Sequence, residues 1–235
     1  MPAFEMDWRD VLFVSYPVDP ATVEPHLPDQ LSVDTFEGDA YLSVVPLVIE
    51  NIRPEGLPAA LGVTTPELNL RTYVTCEEPA ADRETPGVYF FSLDADDLLG
   101  TIGGRLFNHL PYYYADIDYE PGSPTRFVSR RHTPGTRSAR FRGVYEPEGD
   151  TFEADPGSLQ HFITERYRYF TEAQDGTIRY AAIEHEPWPL QSATWEMPEN
   201  TLFAANDFEA PESDPVVSYS RGLSVRASES QRWGQ

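Results

Sequence analysis

Glu67-Leu-Asn-Leu-Arg-Thr-Tyr-Val-Thr-Cys76 alternates without a break. Leu68, Leu70, Thr72, Val74 and Cys76 fall on one side, and Glu67, Asn69, Arg71, Tyr73 and Thr75 on the other. Successive strand side chains point to opposite faces, so this period predicts a strand with one apolar face and one chemically varied face. Side chains at i, i+2 and i+4 stand roughly 6.8 Å apart. If the varied face lines a barrel interior, it brings an acid, an amide, a guanidinium and a phenol into one cavity, suited to a small anionic or carbonyl compound. Pattern alone leans towards the ordinary solvated face of an antiparallel sheet, and both readings stay open at this point.

Outward from this strand the chain reads as many short strands with a few helices between them. Trp8 to Tyr16, Ala40 to Ile49 and Val88 to Ala95 are apolar runs, the last expected to be a buried central strand. Asp19-Pro20 opens a short helix, with Asp as N-cap and Pro at the first position. Asp96 to Asn108 has helical spacing at Leu98, Leu99, Ile102 and Leu106, and Pro111 stops it before a tyrosine-rich strand, Tyr112 to Tyr119. Thr133-Pro-Gly-Thr136 joins Arg126–Thr133 to Ser138–Tyr145 as a type II turn, and Asp175-Gly176 joins Arg166–Thr171 to Thr177–His185 as a hairpin. Short helices are expected at Ser158–Ile163 and near Pro198–Ala205, and a last strand at Val216–Ala227. The pattern is that of one mostly β domain over residues 1–235, an antiparallel barrel with peripheral helices.

Composition removes several function classes. The chain has 235 residues and no lysine; its 17 basic residues are all arginine, against 39 Asp plus Glu, for a net charge of −22. No side-chain amine is available for a Schiff base or a P-loop phosphate clamp. The negative field argues against nucleic-acid partners and anionic membrane surfaces. Acid excess without lysine suggests a salt-loving host, because self-repulsion is screened in strong salt. The single cysteine, Cys76, excludes an internal disulfide and fits a reducing compartment. Residues Met1 to Asp10 lack the apolar core of a signal peptide, and no window has the length of a membrane span, so a soluble, cytoplasmic protein is expected.

Other motifs carry little. The glycines of Gly100-Thr-Ile-Gly-Gly-Arg105 sit inside a helical pattern, which points to helix packing rather than a phosphate loop. The five histidines form no metal-binding pair and no Gly-x-Ser-x-Gly elbow exists, so neither metal nor cofactor is expected. Arg126, Arg130, Arg131, Arg137, Arg140 and Arg142 form a basic cluster best read as pairing with the abundant carboxylates.

Several blocks together resemble a known family: Trp8–Tyr16, Glu67–Val74, Gly87–Ala95, Arg105–Ala115 (RLFNHLPYYYA), Thr164–Tyr167 and His185–Gln191 (HEPWPLQ). They look like the uncharacterised YqjF-like family, which in turn resembles the acetoacetate decarboxylase-like superfamily. Trp8-Arg9-Asp10-Val11-Leu12, Thr65-Pro66-Glu67, Gly104-Arg105 and Leu110-Pro111-Tyr112-Tyr113 match that superfamily's blocks in place. The resemblance implies that Arg9 and Glu67 keep the decarboxylase's arginine and glutamate positions. It sets Tyr112 where the Schiff-base lysine stands, and Tyr113 where the neighbouring lysine tunes it. A phenol of pKa near 10 forms no imine, so the resemblance implies the fold and the cavity and argues against acetoacetate decarboxylation.

The expected function is binding of a small organic acid or carbonyl compound inside the barrel. Arg9 or Arg71 would hold an anionic group, with Asn69 and Tyr113 beside it. Glu67 would serve as acceptor or general base, and Tyr112 as hydrogen-bond donor or general acid. Two alternatives remain: an enzyme of lyase or isomerase type using Glu67 and Tyr112 in non-covalent proton transfer, and an interaction protein whose Arg–Glu–Tyr set is a buried structural network. A homo-oligomer is left open.

Overall fold

The computed structural model describes residues 4–78, 83–97 and 109–234. Strands dominate. In chain order they are β1 (Phe4–Val18), β2 (Leu31–Val33), β3 (Ala40–Pro54), β4 (Val63–Glu78), β5 (Arg83–Ala95), β6 (Tyr112–Glu120) and β7 (Thr125–Arg131). They continue as β8 (Arg140–Phe152), β9 (Arg168–Glu172), β10 (Ile178–Glu184), β11 (Leu190–Asn200), β12 (Val216–Ala227) and β13 (Gln231–Arg232). Among the described residues three short α-helices, α1 (Pro20–Val23), α2 (Leu159–Thr164) and α3 (Leu202–Ala205), sit between them. Asp19 caps α1 by accepting the Ala21 N–H, and Ser158 caps α2 by accepting the His161 N–H. The helix expected over Asp96–Asn108 lies largely outside the described residues, as does the Gly104-Arg105 match.

The sheet is continuous, in the order β13-β10-β9-β5-β6-β7-β8-β11-β12-β1-β3-β4-β2, and it closes on itself twice, through β5–β4 and β10–β12. The architecture is therefore two fused rings rather than one simple barrel. One ring runs β5-β6-β7-β8-β11-β12-β1-β3-β4; the other runs β9-β5-β4-β3-β1-β12-β10. Both share the wall β12-β1-β3-β4-β5. The sheet is mixed, where an antiparallel one was expected: β5 pairs in parallel with β6 and with β9. Long connections precede both partners, and parallel neighbours need such crossovers.

The shared wall explains why β1 and β3 are apolar on both faces. Leu12, Val14, Leu42, Val44, Leu68 and Leu70 pack into the larger ring with Phe127 and Phe141. Val11, Phe13, Val45, Leu47 and Tyr73 face the smaller ring with Val88, Ile183 and Trp188. A wall buried on both sides removes the period-two signal from its strands. In β4 the alternation survives because its second face meets a cavity. Two strand expectations need correction. Residues Leu190–Asn200 form β11, including Pro198, where a helix was expected; the helix is confined to Leu202–Ala205. The three apolar runs lie within longer strands: Trp8–Tyr16 within Phe4–Val18, Ala40–Ile49 within Ala40–Pro54 and Val88–Ala95 within Arg83–Ala95.

Candidate functional site

The smaller ring encloses a cavity of about 740 Å³. Its polar wall comes from β4 and β6. Glu67, Asn69 and Arg71 line it at alternate positions of β4, and Tyr112 lines it from the start of β6. The register brings the last two strands together across β5: Glu67 lies opposite Ala95, and Leu93 of the same strand lies beside Tyr112. The Tyr112 hydroxyl donates to Glu67 Oε2 at 2.7 Å, and Asn69 Nδ2 donates to Glu67 Oε1 at 3.2 Å. Thus residues 45 positions apart in sequence form one hydrogen-bonded unit.

Burial governs the electrostatics of this unit. Glu67 is 4% exposed. Desolvation pushes its carboxyl above the usual carboxylate range, against the opposing pull of the Tyr112 and Asn69 hydrogen bonds and the Arg71 charge. Tyr112 is driven far above an ordinary phenol by burial and by the carboxylate it faces. A carboxyl so raised exchanges its proton closer to neutral pH than an exposed glutamate does.

Arg71 is held by rings instead of by an acid. Its guanidinium carbon lies 5.3 Å from the Phe13 ring centre and 5.8 Å from that of Tyr73. Among the described residues no carboxylate lies within salt-bridge distance of it, and its buried Nε has no hydrogen-bond partner. Asn69 Oδ1 is likewise buried without a partner. Arg166, also at the cavity wall, is committed to structure: it pairs with Asp34 at 2.6 Å and donates from Nε to the Phe162 carbonyl. Tyr73 is committed too, its hydroxyl bonded to Ser43 at 2.8 Å, with Ser43 bonded on to Ser15.

Two expected members lie elsewhere. Arg9 is at the surface, 3.5 Å from both Asp7 and Glu50. The cause is a bulge. Asp10 adopts φ 48°, and the β1–β3 register shifts between Arg9 and Val14. Val11 and Phe13 face the cavity beyond the bulge, and Trp8 and Met6 face it before, so the odd–even rule changes hands at Asp10. Trp8 therefore enters where Arg9 was expected. Tyr113 points to the other side of β6, its ring 4.0 Å from the guanidinium of Arg131, which pairs with buried Asp94 at 2.7 Å.

Among the cavity residues that escaped the sequence reading are Trp8, Arg168, His185 and Trp188. Trp8 and Trp188 stack at 5.7 Å and 14°, with His185 5.5 Å from Trp188. Both indole N–H groups are buried without a partner, as is Arg168 Nε. A signal existed, since Trp8 and the HEPWPLQ segment both belong to the blocks that carry the family resemblance. Among the described residues no cluster of His, Cys, Asp and Glu could hold a metal ion.

This doubled ring with a polar cavity wall is the acetoacetate decarboxylase-like fold. The enduracididine biosynthesis enzyme MppR, in complex with the condensation product of pyruvate and imidazole 4-carboxaldehyde, superposes with a TM-score of 0.68 at 14% identity, covering 99% of this chain and 89% of that one. An acetoacetate decarboxylase-like enzyme from Sphingomonas wittichii RW1 superposes with a TM-score of 0.62 at 17% identity, over 98% of this chain and 92% of that one. The chain belongs to the DUF2071 family, an uncharacterized conserved protein family whose match spans residues 5–224. It is also 40% identical over 228 residues to the uncharacterized protein YqjF of Bacillus subtilis (strain 168), covering 96% of this chain and 90% of that protein.

Proposed function

We propose that the cavity binds a small organic acid or carbonyl compound and that Glu67 and Tyr112 transfer a proton on it. The observation that carries this reading is the hydrogen-bonded Glu67–Tyr112 pair set beside two groups with buried, unused hydrogen-bonding atoms, Arg71 and Asn69. A purely structural network would satisfy all four members from within; here a guanidinium donor and an amide acceptor remain open. Arg71 offers the charge-assisted donors that a carboxylate needs. With its anionic end there, a ligand presents its carbonyl and adjacent carbon to the β4–β6 wall. Glu67 as carboxylate takes the proton from the carbon next to the carbonyl, and the Tyr112 hydroxyl turns its single proton from Glu67 to the oxygen on which the charge develops. Returning a proton to carbon reverses the enolisation, so the α-proton exchanges without a covalent intermediate. An imine route is closed, because the 235 residues include no lysine. A solvated, reducing cytoplasm suits the single buried thiol of Cys76.

The test is exchange of α-protons of 2-oxo acids with deuterated water, followed by NMR. The protein is expected to accelerate exchange, and Glu67→Gln to lower the rate by roughly 100-fold or more. Arg71→Leu is expected to abolish the ligand-induced rise in unfolding temperature. Exchange equally fast with Glu67→Gln removes Glu67 from the chemistry. A ligand that binds as tightly without Arg71 removes the head group's anchor.

A further inference from the structure

The cavity is much larger than its polar corner requires. Its 740 Å³ is several times the volume of an acid the size of pyruvate and lies in the range of cavities that hold larger ligands. Outside the β4–β6 wall the lining is mixed: Arg166, Arg168 and His185 are polar, while Met6, Trp8, Leu47, Ile49, Ile52 and Phe90 form an apolar stretch that faces the same space. The stacked indoles of Trp8 and Trp188 add a flat wall, closed at its edge by Phe13 at 5.1 Å from Trp188. Unfilled apolar space forfeits the contacts its lining could make, and a polar solute leaves it unfilled.

We infer that the natural ligand is an amphipathic oxo acid, with its carboxylate and carbonyl at Arg71, Asn69 and the Glu67–Tyr112 pair and an apolar chain or ring along Trp8, Trp188, Leu47 and Ile49. This rests on the proposed head-group site, and it adds the size and polarity of the rest of the molecule. The head fixes orientation; the body supplies most of the affinity, because each buried methylene adds to the hydrophobic driving force while the polar corner mainly replaces bonds to water.

The experiment is calorimetric titration with a 2-oxo acid series: pyruvate, 2-oxobutanoate, 2-oxohexanoate, 2-oxooctanoate and phenylpyruvate. Affinity is expected to rise about fourfold per added methylene until the cavity is full. Phenylpyruvate is expected to bind at least about tenfold more tightly than pyruvate. Ile49→Phe is expected to move the plateau to a shorter acid, with an unfolding curve that shows the variant folded. A flat series whose members all depend on Arg71 overturns the amphipathic ligand and leaves the head-group site standing. No Arg71-dependent binding by any member overturns both. A length dependence that Ile49→Phe does not alter places the chain outside the cavity and also overturns the inference.

Discussion

Two buried carboxyls, on adjacent strands, have different partners. Asp94 is 1% exposed and pairs with Arg131, yet desolvation exceeds the pull of that cation and raises its pKa to about 6. Glu67 is raised by the same cause, but its hydrogen-bond partners are a phenol and an amide. Both hold a proton more tightly folded than unfolded. Stability from each is therefore fullest below the unfolded pKa and is lost as pH rises through the folded one; for Asp94 that window runs from 3.8 to about 6. The neighbours separate the two. Asp94→Asn strands a buried guanidinium and is expected to cost about 3–5 kcal/mol in urea unfolding. Glu67→Gln keeps an acceptor for Tyr112 and removes only the titrating group, so its stability relative to wild type is expected to increase as pH rises from the unfolded glutamate value of 4.5 towards neutrality. A wild type that instead gains on Glu67→Gln over that interval would show Glu67 held as a carboxylate by the fold. That would remove the reason to expect proton transfer near neutrality.

At the scale of elements, the bulge in β1 decides which side chains reach the cavity. Its counterpart on β12 is Gly222, opposite Arg9, with φ +121°; a Cβ there would lie 1.8 Å from the Trp8 carbonyl oxygen. No side chain fits, and L-residues resist that φ. Gly222→Ala is expected to destabilise the protein by about 2–4 kcal/mol, measured by denaturant unfolding. Because the clash falls on Trp8, ligand affinity should drop with it; a variant of unchanged stability would show that the two strands slide apart freely. This also explains what the sequence could reveal. β4 was legible down to its side-chain directions because one face is apolar and the other lines a cavity. The place of Glu67, Asn69, Arg71 and Tyr112 at that cavity followed from alternation and family resemblance together. Arg9 was misplaced because a bulge has no sequence marker comparable to alternation, and its glycine lies on the partner strand, 213 residues distant in number from the residue it faces. β11 was misread since its alternation is carried by Ser, Ala and Thr, with Pro198 inside. The parallel pairings of β5 depend on crossovers, which leave no local pattern.

For the molecule as a whole, the excess of acids acts at the surface. The arginine cluster does pair with acids: Arg126 with Asp118 and Glu120, Arg140 and Arg142 with Glu199, and Arg137 with Asp207. These groups are mostly exposed, and such pairs contribute about 0–1 kcal/mol each. With 39 acids against 17 arginines, repulsion outnumbers attraction. Salt weakens both, but the surplus is repulsive, so screening should stabilise the fold. The Debye length falls from about 10 Å at 0.1 M salt to about 3 Å at 1 M, and most of the gain should come within that range. The unfolding temperature in potassium chloride is therefore expected to climb steeply up to about 1 M and then to level. A neutral osmolyte such as sucrose, which acts by exclusion from the surface, should instead give a gradual rise with no such break. A midpoint that is flat or falling in potassium chloride would mean that the arginine–carboxylate pairs outweigh the repulsion, and the acidic surface would need an explanation other than adaptation to salt.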